Sequence, residues 1–224
     1  MTPMEMAPWL DHYFPAIRRA GLGGDACWIG RMKNLNAEHN PPFYWLGRAL
    51  DVIAEAGEDA AYGRRLVATH GANPCNGDGD RDDRIQGVLS EACAFAWTVA
   101  HLGPARFEAA AEGATLERGP VRLHVPAHDA YVSPGRLQPR PTIGAVVRAV
   151  AEQAAHAAST LPPARGRILY LDTWQEQRYA HNVGYHLEMT EPVLAALRHS
   201  AAEAQVGYVF TRPFQWGNPV EARY

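Results

Sequence analysis

Residues 82–103, DDRIQGVLSEACAFAWTVAHLG, decide how the rest of the chain is read. Ile85, Val88, Leu89, Ala92, Phe95, Ala96 and Val99 recur at the spacing of a helix with one apolar face. Gly103 stands where a helix-terminating glycine belongs. Beyond it the period changes. Segments 105–113 (ARFEAAAEG) and 114–127 (ATLERGPVRLHVPA) alternate polar and apolar residues around glycine, which predicts antiparallel strands.

Immediately upstream, residues 73–83 (NPCNGDGDRDD) read as a loop. Its aspartates invite comparison with a calcium loop, which needs glycine at position 6 and glutamate at position 12. Counted from Asn76, those positions are Arg81 and Gly87; counted from Asp78, they are Asp83 and Leu89. Both registers fail. A helix start explains the stretch better, with Asp83 as N-cap, Gln86 at N3, and the other acids ahead of the positive helix end. Earlier still, residues 1–72 read as a helical lead, with helices over 9–24, 40–57 and 58–71. Gly57 is placed to end the second of these.

Downstream, residues 131–141 (YVSPGRLQPRP) read as a loop broken by proline. A helix follows over 141–160 with Thr142 as its cap, then a buried strand over 165–174 (RGRILYLDTW). Residues 175–189 read as a loop, 190–204 as a helix capped by Thr190, and 206–214 (VGYVFTRPF) as a last strand. The β-α-β run implies a parallel pair. The expected fold class is therefore α+β to α/β: a mixed β-sheet flanked by helices, with a helical N-terminal lead (1–72) on an α/β core (73–224).

Composition narrows the functional classes. The chain has 224 residues, 47% hydrophobic and 20% charged, as expected of a globular protein with a sizeable core. Residues 1–117 hold 16 acidic against 10 basic residues, and residues 118–224 hold 8 against 11, an asymmetry too mild to require nucleic acid. Lys33 is the only lysine beside 20 arginines, a bacterial-type, GC-rich bias that leaves lysine chemistry to one residue. Three cysteines without CxxC spacing argue against a disulfide framework or a structural zinc site. There is no signal-peptide pattern and no apolar run long enough to span a membrane, so a cytoplasmic location is expected. Phosphate-loop and nucleophile-elbow motifs are absent.

Three groups of residues carry candidate chemistry. Glu91 lies at the margin of the apolar face of the 82–103 helix, where it can enter a cleft or face solvent. Asp172 ends a buried strand, followed by His181 and His186, a set that could bind a divalent metal or act in acid–base chemistry. A turn-capping aspartate beside packed histidines is the ordinary alternative. His124, His128 and Asp129 form a third polar group on LHVPAHD, and His124 shares a strand face with Arg122, which suggests a polar, solvated sheet face. Tyr208, Phe210, Phe214 and Trp216 either pack on the helical lead or mark a homodimer edge along the C-terminal strand.

The order of elements in 82–172 resembles the restriction-endonuclease-like PD-(D/E)xK nuclease superfamily. The residues that carry it are LSEACAFAWTVAHLGPARFE and the helix glutamine, Gln153, in AEQAAHAA. The resemblance implies a core of helix, three-stranded meander, helix and strand. It also implies a Mg²⁺ site built from a helix glutamate, matched here by Glu91, and from strand carboxylates, for which Glu108 and Asp129 are the candidates. The chain departs from the pattern where it matters: GPVRLHVPAHDAYV has no Glu-x-Lys. The resemblance therefore implies a degenerate core that binds nucleic acid or a protein partner without cleaving. A metal-dependent hydrolase using Mg²⁺ or another divalent ion at Glu91, Asp129 or Asp172/His181/His186 is the alternative. A protein-interaction module without a small-molecule site is a third.

Overall fold

The computed structural model describes residues 41–72, 79–138, 142–173, 183–212 and 215–224, with 41–44, 70–72, 79–85 and 183–189 described by backbone only. The lead enters as α1 (Pro41–Glu55) and α2 (Asp59–Ala72). Leu46, Ala49, Leu50 and Ile53 form the buried stripe of α1. Its end is closed by Gly57 at φ +75°, where the Gly57 and Glu58 amides bond back to the Ala54 and Ile53 carbonyls. A residue with a Cβ is strained in that left-handed conformation, so glycine fits the position.

The helix that opens the core, α3, runs Gly79–Leu102. It starts four residues before the expected cap, so Asp83 lies inside the helix and not at its N-cap. The acids of DGDRDD still suit a helix beginning, because negative charge complements the unsatisfied amides there. From Ala92 to Thr98 the helix is buried all round. It is the middle of a stack, with α1 and α2 on one side and the sheet on the other, and Ala92, Ala94 and Ala96 allow close approach on both sides.

Six strands follow in simple order: β1 (Arg106–Ala109), β2 (Val121–Val125), β3 (Ala130–Leu137), β4 (Gly166–Thr173), β5 (Gly207–Thr211) and β6 (Glu221–Arg223). β1 to β3 form an antiparallel meander, β3 to β5 are parallel, and β6 pairs antiparallel with β5. The sheet is mixed, as expected. The stretch 131–137, read as a proline-broken loop, is instead the long strand β3. Pairing with β2 ends at Val132, so at Pro134 the strand is flanked only by β4. Proline is tolerated at such a half-open position because one side of the strand needs no donor.

The two crossover helices, α4 (Ile143–Thr160) and α5 (Val183–Ala204), cover the sheet face opposite α1–α3 and give three layers. Thr142 caps α4 as expected, accepting from the Ala145 amide at 3.2 Å. Thr190 does not cap α5, which begins seven residues earlier and carries Pro192 inside it. The expected last strand, β5, is not an edge. β6 pairs along it, so a homodimer edge on 207–211 is already occupied. Trp216 packs edge-on against Trp45 of the lead, with its indole N–H donating to the Trp45 carbonyl at 2.8 Å. No helix among the described residues is long and apolar enough to cross a membrane.

Candidate functional site

Each candidate residue occupies a different environment. Glu91 of α3 points at α2, where Arg65 grips it through two bonds of 2.5 and 2.6 Å. The remaining Arg65 donor reaches the Leu116 and Gly119 carbonyls at 2.6 and 2.8 Å. Glu91 therefore ties two helices to the β1–β2 connection. Burial raises its carboxyl above the usual range, and the Arg65 bonds pull it back only in part.

Glu108 faces the other side of the sheet. Its neighbour Phe107 stacks on Phe95 of α3 at 4.7 Å, and strand alternation turns Glu108 away from that layer. Asp129 sits exposed in the β2–β3 turn at φ 48°, with its carboxylate accepting from the Arg165 amide at 3.3 Å. The structure does not bring Glu91, Glu108 and Asp129 together. Among the described residues, no group of three or more His, Cys, Asp and Glu could hold a metal ion. Along β2 and the first half of β3, the positions that face α3 are Val121, Leu123, Val125, Ala130 and Val132, all buried and apolar.

Asp172 stands apart at the C-terminal end of the parallel strands. It is fully buried, accepting from Ser90 of α3 at 2.7 Å and Thr211 of β5 at 3.3 Å. Arg136 of β3 is its register neighbour and also donates to Gln86 of α3. Burial, with the Asp172 charge, pushes the nearby Cys93 thiol well up, so it stays protonated and unreactive. This network latches α3 onto three strand ends. His181 and the side chain of His186 lie outside the described residues, so the Asp172 set is seen only through its aspartate.

The structure does bring Glu108 and His124 together, and with residues that sequence reasoning did not rank. Register aligns Arg106 with His124, Glu108 with Arg122, and His124 with Tyr131. Glu108 accepts from Arg106 at 3.1 Å and from Arg122 at 3.3 Å, and it lies 3.2 Å from His124 Nδ1. The His124 ring stacks on Tyr131 at 4.6 Å, and the Arg122 guanidinium sits 5.1 Å from the Tyr131 ring centre. α4 lies over β3 and β4 and α5 over β5, which leaves this meander block half-exposed at the side of α4. The Arg106 side chain is the most open, at 56%. Two guanidinium groups and an imidazole thus surround one carboxylate on a platform braced by a stacked tyrosine. The parity of Arg106/Glu108 and Arg122/His124 was visible in the sequence; the partner strand carrying Tyr131 was hidden by its proline.

No protein-family model matches the chain, and no curated protein or solved structure gives a match.

Proposed function

We propose that this chain binds nucleic acid on the outer face of the β1–β2–β3 meander, through a nuclease-like core that does not cleave. The observation that carries the reading is the Arg106–Arg122–His124–Tyr131 block around Glu108. Guanidinium groups are suited to phosphate, and a cationic surface with one acid favours a polyanion. The element order α3–β1–β2–β3–α4–β4 agrees with the core that the sequence resembles. The dispersed carboxylates favour binding over metal-assisted hydrolysis, because one ion needs oxygen ligands within about 2–2.6 Å.

Fluorescence anisotropy with labelled single- and double-stranded oligonucleotides tests the reading. Binding that weakens with salt, and by about tenfold or more in an Arg106→Ala/Arg122→Ala variant, is expected. Absence of binding at low salt overturns it and favours a protein partner. Incubation with Mg²⁺ or Mn²⁺ should leave the oligonucleotide intact, and metal-dependent cleavage would overturn the non-cleaving half.

A further inference from the structure

The outer surface of α4 carries two adjacent exposed rows. Ile143, Val147, Ala151 and Ala155 form one, and Gly144, Arg148, Glu152 and His156 form the other. Ile143 and Val147, 50% and 37% exposed, are two of three large hydrophobics left exposed among the described residues. The third, Tyr224, packs against Trp97. The apolar row continues into an open groove between α4 and α5 whose lining includes Ala151, Ala155, Ala158 and Ala204. Arg148 and Glu152 stand one turn apart with opposite charge, and neither forms an ion pair with another described residue.

We infer that this face seats a second copy of the same chain, α4 against α4, antiparallel about a two-fold axis at the level of Val150. A two-fold of that kind lays each row on itself in the reverse direction, so positions equally far above and below residue 150 meet. Arg148 of each copy then faces Glu152 of the other, twice, and Gly144 faces His156. The apolar row meets its own image, where Ala151 and Ala155 let the helices approach closely. Self-complementary charge beside an exposed apolar row is what singles out a second copy over an unrelated partner. One helix pair with part of a groove falls below the roughly 1,600 Å² of a standard interface, so a dimer of micromolar affinity is expected.

Sedimentation equilibrium of the full chain across the micromolar range tests the inference. A monomer–dimer equilibrium should appear, and Val147→Glu, on the exposed face and so neutral to the fold by circular dichroism, should leave only monomer. Arg148→Glu and Glu152→Arg should each weaken the dimer by about tenfold, since each sets like charges together, and the two combined should restore it. A monomer throughout, or a dimer indifferent to Val147→Glu, overturns the inference. A dimer lost to Val147→Glu but not restored by the double reversal overturns the two-fold pairing.

Discussion

Glu91 lies between two helices with Arg65 as its bidentate partner, whereas Glu108 lies on a sheet face with two guanidinium groups and an imidazole around it. The first pair is nearly sealed, with side chains 10% and 13% exposed, and Arg65 Nη1 donates to two carbonyls. The second is open: Arg106 is 56% exposed and Glu108 is 23%. Both glutamates are ion-paired, yet a ligand can compete only for the second. Charge pairing in the interior fixes architecture, and the same pairing on an uncovered sheet face leaves its cations accessible.

The largest loss of stability should come from the interior pair. Arg65→Ala strands a buried carboxylate and two carbonyls, and chemical denaturation should show a loss of about 3–5 kcal/mol. Glu91→Gln should cost less, because the amide still accepts from Arg65, and oligonucleotide binding by its folded fraction should be unchanged. A Glu91→Gln protein that is fully stable but has lost binding would reverse the roles assigned to the two glutamates.

Next in size is the latch at the strand ends. Ser90→Ala removes a hydrogen bond to a buried carboxylate, and urea unfolding should register about 1.5–3 kcal/mol. Below that comes Glu221, which α5 and β5 hold through Arg198 at 2.5 and 3.1 Å and through the Tyr208 hydroxyl. The hydrogen bond from Arg198 leads in depressing its carboxyl from 4.5 to about 2. A depressed carboxyl contributes stability that is present above its unfolded value and lost as the folded value is approached. Thermal stability should therefore fall as pH drops from about 4.5 to about 2, with a shallower fall in Glu221→Gln. The smallest stability effect belongs to Glu108→Gln, within about 1 kcal/mol because the site is open. That substitution should nonetheless tighten oligonucleotide binding, since it removes the anion that the incoming phosphate must displace.

The sequence made the three-layer frame legible through period: helical spacing at 85–99, alternation at 121–125, a continuous apolar run at 168–171. It misled where local chemistry was overridden. Pro134 reads as a breaker, but β3 runs on past its β2 partner, and a strand flanked on one side has no need of that donor. Thr190 and Asp83 read as caps, but both helices begin earlier, so neither residue holds a terminus. The site was half legible. The shared face of Arg122 and His124 follows from alternation, while their meeting with Glu108 and Tyr131 depends on register across three strands. Glu91 was conspicuous for the opposite reason: a marginal carboxylate on an apolar helix faces either a ligand or an internal partner, and Arg65 sits 26 residues away in sequence.

The most direct test is the salt dependence of oligonucleotide binding in the parent chain and in Arg106→Ala/Arg122→Ala. Each lost phosphate contact lowers the slope of log K against log salt by about 0.7–0.9. The variant should bind more weakly, with the slope reduced by about 1.4–1.8 and folding intact. An unchanged slope and affinity would contradict it, since the meander face would then have no part in holding the polyanion.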